Sequence, residues 1–170
     1  MAVKVKKARR PSSKPPKASR PKMPGYGLPS GQQGLLPWRW AQQRLKKSHN
    51  YFIATSRPDG SPHMMVIWGL WLDGMFLFST GAGSRKAANL RQTPNCVIAT
   101  ENAAEAVVLE GMAELSEDPA LLKSFCRQYK QKYDWDMSAE PVYVLRPQVA
   151  FGLYEKNFSG SATRWQFGKT

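Results

Sequence analysis

Asp59–Gly60 and Asp73–Gly74 sit between three short apolar runs, Tyr51–Ser56, Pro62–Leu72 and Met75–Thr80, and this punctuation constrains the chain more than any other feature. In Arg57-Pro-Asp-Gly60 the proline presets φ and the glycine takes the position that wants a positive φ. Asp73-Gly74 is the pair that a two-residue hairpin turn prefers. Aromatic and β-branched runs on either side of such turns read as strands, so the centre of the chain predicts an antiparallel meander in which Pro62–Leu72 is the long return strand.

The pattern continues downstream. Cys96–Glu101 reads as a strand that turns over Asn102-Ala-Ala104 into Glu105–Leu115, and Gly111 inside the second run predicts a bulge or a barrel corner. Pro141–Leu145, Gln148–Tyr154 and Ala162–Phe167 bring the count to about seven strands. Helices are expected over Pro37–Lys47, over Ser84–Gln92, and from the Asp118 cap through Pro119 to Tyr133, where Leu121, Leu122, Phe125, Cys126 and Tyr129 share one stripe. Trp68 and Trp71, three apart on one strand, face opposite sides. The fold class is mainly β with peripheral helices, a small antiparallel barrel.

The net charge of +13 is concentrated at one end: nine of the 25 basic residues and none of the 12 acidic ones fall within residues 1–22, which leaves the remainder at +4. Residues 1–36 mix Lys, Arg, Pro, Ser and Gly with few large apolar groups, so they are expected to stay disordered ahead of a folded domain over residues 37–170. Such a tail suits a solubilising leader or a nonspecific contact with nucleic acid. No apolar segment follows the charges to make a secretory signal, no stretch is long enough to span a bilayer, and the prolines argue against an amphipathic transit helix, so a cytoplasmic protein is expected. Cys96 and Cys126 lie in apolar patterns and read as buried reduced thiols, and with only His49 and His63 available no metal site is expected.

Chemistry concentrates in Phe76-Leu-Phe-Ser-Thr80-Gly-Ala-Gly-Ser84-Arg85-Lys86-Ala-Ala-Asn-Leu90, where an apolar strand delivers two hydroxyls, a Gly-x-Gly turn and two adjacent cations into the first turn of a helix. Free N–H groups, the positive end of the helix dipole and the Ser84, Arg85 and Lys86 side chains together form a phosphate cradle. The plainer alternative is a capped helix with two surface cations. No nucleophile elbow, catalytic triad or acid–base pair of carboxylates is visible, which suits a protein whose cofactor carries the reactive chemistry.

That run, with Tyr51-Phe-Ile-Ala-Thr55, Arg57-Pro-Asp-Gly60-Ser-Pro-His63, Leu70-Trp-Leu-Asp-Gly74, Val107-Val-Leu-Glu-Gly111, Lys132-Tyr133 and Thr163-Arg-Trp-Gln-Phe167, resembles the pyridoxamine 5′-phosphate oxidase-like proteins, the FMN-binding split β-barrels, whose related branches bind the deazaflavin coenzyme F-420. The resemblance implies an antiparallel split β-barrel with Thr80, Ser84, Arg85 and Lys86 on the FMN phosphate and Ser79 beside them. It lays the backbone of His63, Met64, Met65, Val66 and Ile67 along the flavin edge. It also puts Arg164 and Trp165 near the flavin of a dimer partner, with barrel closure and a surface cation as their structural alternative. The chain departs from the vitamin-B6 oxidases in Met64-Met-Val-Ile-Trp-Gly69, which offers neither the Arg nor the Lys of that strand, and in Ala106, which stands in place of a Gln. Its ending, Thr163-Arg-Trp, also lacks the longer Arg-rich pattern of those enzymes.

For individual residues two readings stand side by side. His63 could donate to flavin or substrate, or be a half-buried hydrogen-bonded residue at a strand start. Lys132, at the end of a helix, complements the dipole. The implied activity is a flavin-dependent oxidoreductase that moves hydride between FMN, or the deazaflavin, and a small conjugated or heteroaromatic substrate, with no catalytic side chain identified. The alternatives are a non-catalytic flavin carrier or sensor, and a basic-tailed nucleic-acid-associated protein. A homodimer with the cofactor at its interface is implied by the family, and Trp38, Trp40, Trp68, Trp71 and Trp165 are more large aromatics than one small core readily encloses.

Overall fold

Both Asp–Gly turns form hairpins in the computed structural model, which describes residues 14–168. Strand β1 is Lys17–Ser19, helix α1 Trp38–Lys47, and strands β2 Tyr51–Ser56, β3 Pro62–Ile67, β4 Gly69–Leu72 and β5 Met75–Ser79 follow. Helix α2 (Arg85–Gln92) leads to β6 (Asn95–Thr100) and β7 (Glu105–Leu115); then come α3 (Pro119–Tyr133), β8 (Val142–Tyr154), α4 (Phe158–Ser161) and β9 (Thr163–Gln166). Gly60 has φ +82°, and Asp73 and Gly74 take φ +49° and +79°, the paired positive values of a turn that matches strand twist.

All strand pairings are antiparallel, in the order β1-β9-β8-β7-β6-β2-β3, with β4 paired to β5 and β5 to the first half of β8. The sheet does not close into a ring of hydrogen bonds: β3 and β4 are consecutive pieces of chain joined at Trp68. One core lies inside the curve, with Tyr51, Ile53, Phe76, Phe78, Ile98, Leu109 and Trp165 at its centre and α1 covering it through Ala41 and Leu45. Trp38 meets Trp71, Trp165 and Phe167 edge-on at centroid distances of 5.8, 5.2 and 5.1 Å. A second core holds Leu70, Met75, Leu77, Val142 and Val144 under Phe125 and Tyr129 of α3, so β5 is buried on both faces. One chain thus encloses Trp71 and Trp165 on its own, and the expected aromatic surplus does not arise from them.

Three expectations are corrected. The long return strand is two strands, because β3 pairs with β2 only as far as Ile67, and the chain then crosses to β5 at Gly69. Only glycine fits there: an added Cβ would stand 2.5 Å from the Phe76 ring and 2.8 Å from the Leu77 carbonyl oxygen. The two late strands are one, β8, continuous past Pro147. The third correction concerns the tail. Residues 1–13 lie outside the described residues, but residues 14–36 pack on the body rather than staying disordered. Strand β1 pairs with β9, Leu36 N–H donates to Thr163 Oγ1 at 2.8 Å, and the Arg20 guanidinium donates to the carbonyls of Gly31, Gln33, Gly160 and Ala162 at 2.6–3.2 Å. A rigid five-donor fork answers four carbonyls at once, a specific gain that composition does not register.

Arg20→Ala leaves those carbonyls unanswered and is expected to cost about 2 kcal/mol, lowering the melting temperature by roughly 4–8 °C. Removal of residues 1–34 lowers it further, and calorimetry on both variants checks this; an unchanged transition would mean that the segment contributes nothing.

Candidate functional site

Strand β5 ends at Ser79, and Thr80 with the short Gly81-Ala-Gly83 turn brings the chain straight to Ser84 and α2. Ser84 caps that helix: its Oγ accepts from Ala87 N–H at 3.1 Å and lies 2.9 Å from Thr80 Oγ1. Gly81 and Gly83 are exposed, and an added Cβ at either would meet nothing within 4 Å, so the ground in front of the helix is open. Arg85 is exposed, Lys86 half-buried, and neither forms an ion pair or hydrogen bond among the described residues.

The β2–β3 hairpin faces this helix. His63 is half-buried, with its Nδ1 shielded from solvent and unpartnered among the described residues. Its pKa is held below the ordinary imidazole value, first by desolvation and then by the positive charges of Arg57, Lys86 and Arg85. Two side chains from the hairpin and two from α2 therefore share one electropositive field. Buried groups lock the elements together: Asn89 of α2 donates to Thr55 Oγ1 at 2.9 Å, and Thr55 reaches the His63 carbonyl at 3.4 Å. Arg57 is aimed by its own bonds to Ser61 Oγ and the Pro62 carbonyl at 3.3 and 2.9 Å.

Thr80, Ser84, Arg85 and Lys86 lie together at the start of α2, and His63, expected along the flavin edge, is near enough for Lys86 and Arg85 to act on it. Ser79 is not available to them, because its hydroxyl donates to the Pro141 carbonyl at 2.7 Å and ties β5 to the start of β8. Strand β3 ends the pairing order, so one of its edges faces no ladder, and Met64, Met65 and Val66 are 63%, 48% and 54% exposed on it, whereas the Ile67 side chain is buried. Trp165 is fully buried against Trp38, with Gly152 giving it room, and so belongs to the core and lines no site in this chain. Arg164 lies on β9, five strand steps from β3 in the pairing order, roughly 24 Å of sheet. Sequence reasoning read Arg57 only as part of a turn and missed Asn89, whose signal was a polar residue between Ala87 and Leu90 on the buried side of α2.

Among the described residues no helix is long and apolar enough to cross a membrane, and no cluster of three or more His, Cys, Asp or Glu is placed to hold a metal ion. A sequence model of the family described as pyridoxamine 5′-phosphate oxidase matches residues 40–152. No curated protein sequence matches the chain. Among solved structures it resembles a conserved hypothetical protein from Mycobacterium tuberculosis, with a TM-score of 0.63 and 22% identity over 72% of this chain and 88% of that one. It also resembles an F420 reductase, with a TM-score of 0.54 and 22% identity over 64% and 94% of the two chains. A heme binding protein from Mycobacterium smegmatis gives a TM-score of 0.55 and 22% identity over 69% of this chain and 55% of that one. At such identities the likeness is one of fold.

Removing one of the cations around His63 favours its protonated form, so Arg57→Ala is expected to raise the His63 pKa, and binding of inorganic phosphate should raise it in the unaltered protein. An NMR titration of the imidazole resonances measures both; a pKa indifferent to phosphate would remove His63 from the anion's surroundings.

Proposed function

The chain belongs to the pyridoxamine 5′-phosphate oxidase family, and from that premise we propose that it is a flavin-dependent oxidoreductase that binds FMN, or in the alternative the deazaflavin coenzyme F-420, by its phosphate at the N-terminus of α2. The observation that supports this reading is the Thr80–Ser84 hydroxyl pair at the start of α2, with Arg85 and Lys86 following it unpaired among the described residues and, like Arg57, close enough to His63 to disfavour a proton on it. A phosphate fits that donor set: fixed cations, two hydroxyls, N–H groups of a helix terminus and open ground beside two glycines.

When bound, the flavin ring supplies the hydride chemistry. The residues of this chain hold and orient it. Thr80 and Ser84 fix the phosphate end, the unpaired edge of β3 offers backbone donors and acceptors to the ring, and Met65, on the same face of β3 as His63, offers it apolar surface. The substrate is then a small conjugated or heteroaromatic molecule able to lie flat against the ring.

A homodimer belongs to the same proposal. Phe52 pairs with Val66 and Ala54 with Met64, so exposed Phe52, Val66 and Met64 form one apolar field across β2 and β3, of the kind a second copy covers. Such an assembly is also the route by which Arg164 could approach a cofactor held by another copy.

The double variant Arg85→Ala with Lys86→Ala is expected to weaken FMN binding by about 3 kcal/mol, roughly a hundredfold, since each charge-assisted phosphate contact contributes about 1.5–3 kcal/mol and Arg85 is exposed. Fluorescence titration reads this, and unchanged affinity would sink the cradle. The visible spectrum of the purified protein and the mass of its released chromophore distinguish FMN from deazaflavin, and a bound chromophore without hydride exchange would assign a carrier role instead. By light scattering the protein is expected to be a dimer at micromolar concentration and Phe52→Glu with Val66→Glu a monomer; a flavin-loaded wild-type monomer would refute the shared interface.

A further inference from the structure

Thr55, His63 and Asn89 meet where α2 packs on the β2–β3 hairpin. Thr55 and His63 stand directly opposite each other across the strand pair, so their side chains leave the same face of the sheet with Cβ atoms roughly 5 Å apart. Asn89 comes down on that face from α2, its Nδ2 donating to Thr55 Oγ1 at 2.9 Å. Thr55 and Asn89 are 4% and 1% exposed, so this junction is sealed from water.

The hydrogen bonds there leave two atoms over. Thr55 Oγ1 sends its proton to the His63 carbonyl at 3.4 Å and accepts from Asn89, which fixes the amide with its nitrogen on Thr55 and leaves Oδ1 to seek a donor elsewhere. Asn89 Oδ1 and His63 Nδ1 are both buried and unpartnered among the described residues, and both belong to side chains that adjoin Thr55. Leftover buried polar atoms are rare, and these two are complementary: Oδ1 only accepts, whereas Nδ1 of a neutral imidazole donates or accepts according to its tautomer. The second ring nitrogen, Nε2, is neither shielded from solvent nor hydrogen-bonded among the described residues.

We propose that Asn89 is a positioning residue whose Oδ1 accepts a hydrogen bond from His63 Nδ1–H, locking the imidazole in that tautomer and leaving the Nε2 lone pair to face outward. A rotation of the imidazole about its own side-chain bonds closes the contact without moving the backbone. The opposite tautomer would set two lone pairs against each other inside the fold. Desolvation first, then Arg57 of the same hairpin and Lys86 and Arg85 of α2, keep the His63 pKa below the ordinary value, so the ring is neutral at pH 8 and one nitrogen alone carries the proton. With Nδ1 committed to Asn89, Nε2 is the nitrogen that gains a proton when an anion arrives, and the imidazolium so formed is already anchored on its inner side. The tautomer follows from the packing of α2 on the hairpin, while its use rests on the proposed binding of phosphate at α2.

Long-range proton–nitrogen NMR spectra of the full chain at pH 8, without added anion, report which nitrogen of His63 is protonated; His49, the other histidine, is identified through His49→Gln. His63 is expected to be mainly Nδ1–H, against the Nε2–H form that free histidine prefers, and Asn89→Leu is expected to restore Nε2–H. Asn89→Asp keeps an acceptor in place, so it should retain Nδ1–H and, by adding a carboxylate, raise the proton affinity of His63 roughly tenfold or more. A role of Asn89 confined to tying α2 to Thr55 would leave the tautomer the same in all three proteins. Should Asn89→Leu fail to fold, the unaltered protein and Asn89→Asp decide. Inorganic phosphate should then protonate Nε2 with Nδ1–H unchanged. A mainly Nε2–H His63 in the unaltered protein, or an Nδ1–H form that survives Asn89→Leu, overturns the proposal; Nδ1–H that depends on Asn89 but does not respond to phosphate upholds it and counts against phosphate binding at α2.

Discussion

At the bulge in the β7–β8 ribbon, Gly111 brings the two backbones so close that an added Cβ would stand 2.1 Å from the Arg146 carbonyl oxygen and 3.1 Å from Pro147 Cα. The register shifts between Glu110 and Gly111, and that irregularity divides β8. Before it, Val142–Leu145 takes β5 as its second neighbour; beyond it, Val149–Gly152 takes β9. A bulge bends a strand and sharpens its twist, so one ribbon can serve two different neighbours along its length. Strand β5, held in place by the first half of β8, ends at Ser79 and so decides where Thr80 and α2 lie. The start of α2, where the phosphate is proposed to bind, is thus positioned by a contact between two backbones that admits no side chain.

Much of this was legible in the sequence because the signals are local. A positive φ at Gly60 and the Asp73–Gly74 turn follow from residue type alone, as do the Ser84 and Asp118 caps and the bulge at Gly111. What was not legible depends on partners far away in sequence. The split between β3 and β4 arises because Gly69 meets Phe76 and because its N–H and carbonyl are claimed by Tyr133 and Lys132 of α3. Continuity of β8 through Pro147 looks improbable from sequence, since proline cannot donate to a ladder, yet it falls at the bulge opposite Gly111, where the ladder is already interrupted. The order of residues 17–36 rests on carbonyls near residue 160 that compositional reasoning about the segment cannot see.

The site divides along the same line. Thr80, Ser84, Arg85 and Lys86 lie within one turn of each other in sequence, and their juxtaposition could be read directly. His63 and Arg57 join them only because α2 packs on β2, and that contact is fixed by Asn89 and Thr55, both almost fully buried. Packing also sets Ser79 and Trp165: the Ser79 hydroxyl donates to the Pro141 carbonyl, and the Trp165 ring lies edge-on to Trp38 in the core of this chain. A residue type states what a side chain can do, and packing decides whether it is free to do it.

The charges at the start of α2 are what favour the proposed phosphate binding over a plain helix cap. A structural cluster of cations is ordinarily balanced by acids within the fold, because like charges held together cost free energy. Here α2 has no acid in its first turn, and Asp59, the acid closest in sequence to Arg57, is committed to the N–H and hydroxyl of Ser61 at 2.9 and 2.6 Å. Those bonds, more than Arg57, hold the Asp59 pKa below the ordinary carboxylate value. Arg57, Arg85 and Lys86 are therefore near enough to disfavour a proton on His63 and have no carboxylate within ion-pair distance among the described residues. An arrangement of that kind lowers its own free energy when an anion arrives, and a phosphate, with several acceptor oxygens to spread over cations, hydroxyls and helix N–H groups, gains most from it.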